Sequence, residues 1–169
     1  MERSIFLAGT AAVASLAPAQ VSAEAMPADS GIHVDIPVAL SSAKVAVNME
    51  HLAFAGDMPV GLAHMGLMMD HFNQTQTPYT MIAVFHGPAG YMLLDDAAYD
   101  AFRKTRTGNP YKAPIAALVK RGVNFEMCAV TMKAFGWTNS QLLPVAKVNA
   151  GAEVRLVQLQ QTGFVAVHP

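Results

Sequence analysis

The sequence predicts one α/β domain with a parallel sheet and helices on both of its faces. Short runs rich in β-branched and aromatic residues recur along the chain, as strands buried on both faces require. Stretches with helical spacing of apolar residues separate these runs. With 169 residues, 53% of them hydrophobic, the chain can bury roughly two thirds of its unfolded surface in one core.

Five strands are predicted. Because they alternate with helical segments, the connections are crossovers and the strands run parallel. The predicted strands are residues 44–49, 79–85, 123–127, 146–149 and 164–167.

The helix between the first two strands is predicted to begin at Asp57, whose carboxylate can cap the first turn, with Pro59 inside that turn. Apolar residues then recur every three or four positions, which gives the helix one buried stripe. The stripe consists of Leu62, Met65, Met69 and Phe72.

Four further helices follow. Asp95 or Asp96 is the predicted cap of the first. Gly122 and Gly163 each mark a helix end, because glycine adopts the left-handed conformation of a C-terminal cap without steric cost. These helices cover residues 96–102, 115–121, 130–135 and 153–161.

The amino terminus is predicted to be a secretory signal peptide, residues 1–23. An apolar run over 5–17 precedes small residues suited to cleavage after Ala23 or Ala25, and the run is too short and too rich in alanine for a membrane span. Residues 24–42 are predicted to be a linker or arm, and residues 43–169 the domain. The mature protein is therefore expected in the periplasm or outside the cell, without stable membrane insertion.

The charge and the motifs exclude several function classes. Eleven basic residues stand against 12 acidic ones, and no basic cluster suits a run of phosphates, so nucleic acid is not an expected partner. The sequence contains no dinucleotide fingerprint, phosphate loop or serine-hydrolase elbow. No cofactor is predicted.

Residues with reactive or polar side chains follow three of the predicted strands. Ligands of open parallel sheets bind at the carboxyl edge, where these strand ends meet. The candidates are Asn48 and His51 at the end of the first strand, His86, Gly87 and Pro88 at the end of the second, and Cys128, Thr131 and Lys133 at and after the end of the third.

Cys128 is the only cysteine, and it precedes the predicted helix over 130–135. Unpaired amide groups at a helix amino end favour a thiolate over a thiol, and Lys133 would add a modest effect of the same sign. The sequence is equally compatible with a small buried hydrophobic residue at this position. A Cys/His hydrolase with His86 as base lacks an identifiable third group to orient the histidine.

A set of motifs in fixed order carries a family resemblance: residues 86–88, 93–94, 109–111, 122–128, 131–133, 142–144, 148 and 159–164. From about Lys44 onward the chain resembles the DsrE/DsrF-like family, which includes sulfur-relay subunits, and in particular its exported branch. The resemblance implies a three-layer α/β/α domain with a five-stranded parallel sheet that assembles into homotrimers or homohexamers.

The resemblance also implies a role for the cysteine. In the relay members a cysteine followed eight residues later by glycine carries a persulfide, and Cys128 with Gly136 has that spacing. Thr131, Met132 and Phe135 stand where the relay members have alanines and an arginine. The relay members are also cytoplasmic, so transfer through their partners is not implied for an exported chain.

Three function classes follow. The first is a protein that carries or senses sulfane sulfur on Cys128 and exchanges it with a donor or acceptor; a lone thiol can hold a persulfide because no internal thiol discharges it. The second is an oligomeric binding or scaffold protein with an inert cysteine. The third is a Cu(I)-binding module that uses His64, Met68 and His71 on one helical face.

Overall fold

The computed structural model describes residues 31–169. They comprise a segment that ends at Pro37 and a compact domain, Val38–Pro169. The predicted signal peptide, and the predicted arm as far as residue 30, lie outside the described residues. Within residues 31–169, no helix combines the length and apolar character needed to cross a bilayer.

Seven strands are present in the described part of the chain. In chain order they are β1 (Ala43–Met49), β2 (Phe54–Ala55), β3 (Met58–Pro59), β4 (Tyr79–Phe85), β5 (Asn124–Cys128), β6 (Ala146–Asn149) and β7 (Val165–Val167). Five of them form one sheet in the order β6-β5-β4-β1-β7, and every neighbouring pair is parallel. The predicted five-stranded parallel sheet is confirmed. Two of its strands have the predicted bounds, and the other three differ from prediction by one residue at one or both ends.

The helices lie on both faces of this sheet, as the three-layer α/β/α class requires. They are α1 (Val60–Gln74), α2 (Asp96–Arg103), α3 (Lys112–Lys120), α4 (Ala129–Phe135) and α5 (Ala152–Gln161), with 3-10 turns at Gly87–Leu93 and Asn139–Gln141. The steps from β1 to β4, β5 and β6 move in one direction across the sheet, whereas the chain returns from β6 past β1 to β7. Because crossovers are right-handed, this reversal puts α5 on the opposite face from the other helices.

Two cores result from this arrangement. The larger one lies between the sheet and α1 to α4, and its fully buried side chains include Phe85, Phe125 and Met127. The predicted stripe of α1 is buried there, as expected. The smaller core lies under α5 and consists of Ala46, Ile82, Val84, Cys128, Ala152 and Leu159.

The predicted start of α1 is wrong. Asp57 does not cap the helix, which begins at Val60 after Pro59 without a side-chain cap. Asp57 instead lies in the turn of the β2–β3 hairpin, beside Gly56, whose φ of +61° permits the tight reversal. By contrast, Asp95 caps α2 as predicted, and its Oδ1 accepts a hydrogen bond of 2.7 Å from the Ala98 N–H.

Candidate functional site

The carboxyl ends of β4 and β5 lie side by side. Phe85 pairs with Met127, so His86 and Cys128 occupy the next pair of positions along the two strands. Side chains alternate between the faces of a strand. Phe85 and Met127 belong to the larger core, and Cys128 belongs to the core under α5. His86 and Cys128 are therefore neighbours on the face that α5 covers.

A chain of polar side chains runs along this edge from the end of β4 to the end of β7. His86, only 5% exposed, donates from Nε2 to Asn48 Oδ1 at 2.6 Å. The Asn48 Nδ2 in turn lies 3.0 Å from His168 Nδ1 and donates to it. On the other side of the His86 ring, Nδ1 lies 3.8 Å from the Glu153 carboxylate at the start of α5. One buried amide thus joins two imidazoles, and one imidazole faces α5.

The loop after β4 is held to α4 by Thr131. The buried Thr131 Oγ1 accepts a hydrogen bond of 2.9 Å from the Gly87 N–H. Pro88 is exposed and is the second residue of the 3-10 turn. The hydrogen bond at Gly87 fixes the backbone next to His86, and Asn48 holds the imidazole ring itself.

Cys128 is 2% exposed. It directly precedes α4, as predicted, but its side chain makes no capping bond to that helix. The sulfur instead accepts a hydrogen bond of 3.3 Å from the N–H of Ala152, the first residue of α5. The reason is strand alternation, which directs the Cys128 side chain to the face opposite α4. The helix amino end that approaches the sulfur therefore belongs to α5.

An ion pair anchors α5 to the sheet. Arg155 donates from Nε and Nη2 to the Glu126 carboxylate at 2.7 to 3.1 Å, and Asn149 Nδ2 donates to the same carboxylate at 3.1 Å. The Glu126 side chain is 11% exposed and that of Arg155 27%. The hydrogen bonds to Glu126 raise the pKa of Arg155 above its usual value. The pair lies one turn of α5 beyond the contact of Ala152 with Cys128.

An open groove of 610 Å³ lies between β6 and α5. Its lining includes Lys147, Asn149 and Gly151, and thus the loop that leads from β6 to Ala152. The Asn149 Oδ1 is buried and accepts no hydrogen bond. The groove therefore borders the segment that covers the thiol.

Comparison with known proteins identifies the family. The sequence profile of the DsrE/DsrF-like family matches residues 39–169. The chain belongs to this family. The fold is similar to that of a protein of unknown function, MTH1491, from Methanobacterium thermoautotrophicum, with 17% sequence identity, a TM-score of 0.59 and coverage of 76% of this chain and 100% of that chain. At this identity the likeness concerns the fold alone. Among curated proteins, none matches significantly.

The sequence predicted several residues at this edge of the sheet in addition to Cys128. The DsrE-like domain brings four of them together there: Asn48, His86, Gly87 and Thr131. His51 does not join them, since it is 77% exposed and lies 3.8 Å from the Glu50 carboxylate. Lys133 is exposed on α4, on the side of the sheet away from the Cys128 sulfur.

Sequence reasoning missed four ionisable side chains of this DsrE-like domain: Glu126, Glu153, Arg155 and His168. His168 follows the last strand, so the rule that placed His86 at the carboxyl edge would also have found it. Glu126 is a carboxylate inside an apolar strand, which is a signal for a buried partner. Glu153 lies in the first turn of a helix, where a carboxylate is common, so its sequence context did not indicate a buried partner. Among residues 31–169, no three His, Cys, Asp or Glu side chains converge as metal ligands.

Proposed function

We propose that this DsrE-like protein carries sulfane sulfur as a persulfide on Cys128. The family is linked to sulfur relay in general, and Cys128 is the only thiol of the chain. The observation that carries the proposal is the hydrogen bond from the Ala152 N–H to the Cys128 sulfur. A backbone donor at the first turn of a ten-residue helix stabilises negative charge on sulfur, in a thiolate or in a persulfide anion.

The loading step is a thiol exchange. The Cys128 thiolate attacks the outer sulfur of a hydropersulfide donor, RS–SH, and a new S–S bond forms as the RS–S bond breaks. The leaving RS⁻ takes the electron pair and the proton that Cys128 gave up, so the products are the Cys128 persulfide and RSH. An acceptor thiolate attacks the terminal sulfur in the same way and returns the Cys128 thiol. Neither step needs an external oxidant or reductant.

Access to the sulfur requires a local opening, because a thiol that is 2% exposed cannot meet a donor in the closed fold. The cover is the start of α5 and the loop before it. The groove between β6 and α5 borders this loop and gives a donor a place to approach. We infer that displacement of the amino end of α5 exposes Cys128, and that the Glu126–Arg155 ion pair sets the free energy of this opening.

The test is intact-mass analysis after incubation with a polysulfide. We expect the folded protein to gain one sulfur atom, a reducing agent to remove it, and Cys128→Ser to gain none. The folded protein is compared with the same protein in urea. Gain of sulfur only in urea would contradict the proposal.

That contrary result would favour the second candidate function, an oligomeric binding or scaffold protein with an inert cysteine. The burial of Cys128 in the apolar core under α5 is the observation that supports it. In that case Cys128→Ala would leave assembly and binding unchanged.

We also propose that the mature protein acts in the periplasm or outside the cell as a homotrimer or homohexamer. The apolar run over residues 5–17 supports export. Leu67 does not belong to the buried stripe of α1 and is 65% exposed, which supports a contact of this helix with another subunit.

A further inference from the structure

A pocket of 280 Å³ between α1 and the chain after β7 contains three metal-binding side chains. They are His64, Met68 and His168, and the rest of the lining is apolar. His64 and Met68 are four residues apart on α1, so they lie one above the other on the same side of the helix. The pocket lies apart from Cys128, which is not among its lining residues.

The chain after β7 runs directly along this side of α1. Gly61 lies one turn before His64, and a Cβ atom at Gly61 would overlap the Met49 side chain and lie 3.1 Å from Pro169 Cγ. The glycine thus permits a close approach of helix and chain. This approach brings His168, at the end of the sheet, to two side chains of α1.

Asn48 holds the His168 ring in place. Its amide lies 3.0 Å from Nδ1, which leaves Nε2 as the nitrogen for a metal. Coordination through Nε2 keeps the imidazole proton of His168 on Nδ1. The Asn48 amide then rotates by half a turn to present its oxygen to that proton, and its Nδ2 donates to His86 Nε2, whose own proton moves to Nδ1 beside the Glu153 carboxylate. Such an outer partner fixes the tautomer and the orientation of a ligating histidine.

We propose that His64, Met68 and His168 form a binding site for Cu(I). Two imidazole nitrogens and one thioether sulfur are a soft donor set, whereas Mg²⁺, Ca²⁺ and Mn²⁺ require oxygen ligands. Leu67, Val167 and Pro169 form the apolar remainder of the pocket lining.

The structure changes the ligand set of the copper alternative that the sequence leaves open. His71 was the expected third ligand, but its Nε2 lies 3.2 Å from the Val38 carbonyl oxygen, and it does not line this pocket. His168 takes its place, although it is more than a hundred residues away in the sequence. His71 is therefore a matched control, a histidine on the same helix outside the proposed site.

The first measurement is an anaerobic titration of the full chain with Cu(I) in competition with bicinchoninate. It is made in the Cys128→Ser background, because a thiol would compete for Cu(I). We expect a single equivalent to bind, and His64→Ala and Met68→Leu each to weaken binding at least about tenfold, the lower limit for loss of even an outer partner in metal sites. His71→Ala should bind as tightly as the parent. Equal losses in His71→Ala and His64→Ala would overturn the proposal.

The second measurement is X-ray absorption at the copper edge. The parent should show one sulfur scatterer and nitrogen scatterers, and Met68→Leu, which keeps the side-chain volume, should lose the sulfur. Sulfur scattering that survives in Met68→Leu would assign the metal to another methionine and refute the site. Both measurements are independent of the persulfide proposal, because they use a chain without its thiol.

Discussion

Replacement of Arg155 by alanine tests whether α5 controls access to the thiol. Arg155 makes three of the four side-chain hydrogen bonds that reach the Glu126 carboxylate, and only Asn149 remains after its removal. The variant leaves a nearly buried carboxylate with one neutral donor. It also removes the ion pair that attaches α5 to the sheet about one turn beyond Ala152, whose N–H bonds the Cys128 sulfur.

The size of the effect follows from burial. Removing one partner of a buried ion pair costs about 3–5 kcal/mol, and exposed pairs contribute at most about 1 kcal/mol. The Glu126 side chain is 11% exposed, but that of Arg155 is 27% exposed. The expected loss in the free energy of unfolding is therefore at the lower end of the range for buried pairs, about 3 kcal/mol. If the opening of α5 breaks the same pair, the open population rises about a hundredfold, since about 1.4 kcal/mol corresponds to a factor of ten.

The assay is the rate at which a thiol reagent modifies Cys128 in the folded protein, together with urea unfolding. Arg121→Ala is the matched control, because Arg121 pairs with Asp70 at 2.5 Å on the surface, where the side chains are 33% and 56% exposed. We expect a loss of at most about 1 kcal/mol for the control and no change in the labelling rate. If Arg155→Ala loses stability but labels Cys128 no faster than the wild type, the cover over the thiol is not α5 and the reasoning fails.

Three other predictions concern ionisation, processing and assembly. Burial and a hydrogen bond with Tyr91 raise the pKa of Tyr111 to about 12; ultraviolet titration should show this late ionisation, and Tyr111→Phe should remove it. Because the pKa of Tyr111 is higher in the folded than in the unfolded protein, its contribution to stability is complete below about pH 10 and is lost as the pH rises from there to about 12. Urea unfolding of the wild type and of Tyr111→Phe across this range tests the assignment. An equal loss of stability in the two proteins would contradict it. The exported protein should start at Glu24 or Met26 by intact mass, and retention of Met1 in a membrane fraction would indicate an uncleaved anchor. Light scattering should give the mass of a trimer or hexamer, and a monomer mass at all concentrations would exclude assembly.

The order of strands and helices was predictable because each strand is a short apolar run between polar turns. The β2–β3 hairpin was not, since its strands have two residues each and Asp57 before Pro59 is also typical of a helix start. The 3-10 turn at Gly87–Leu93 was missed for a similar reason, because a short apolar segment has no diagnostic period.

The site was predictable only in part. The ends of parallel strands share an edge, so the sequence could place Asn48, His86 and Cys128 together. It could not show which helix faces the sulfur, because that depends on the direction of each crossover across the sheet. The contact of Ala152 with Cys128 and the position of Glu153 both follow from the reversal between β6 and β7.

That reversal has a consequence for the time at which the thiol is enclosed. The strands β1, β4, β5 and β6 are synthesised before α5, which supplies the helical cover on one face of the sheet, and β7 follows last. A domain generally folds as a unit, so this one is complete only when α5 and β7 are available. Until residues 152–167 have been synthesised, the chain lacks the helix that covers Cys128, so we expect the thiol of an unfinished chain to react without any opening of the mature fold. Packing of α5 against the sheet then buries the Cys128 sulfur.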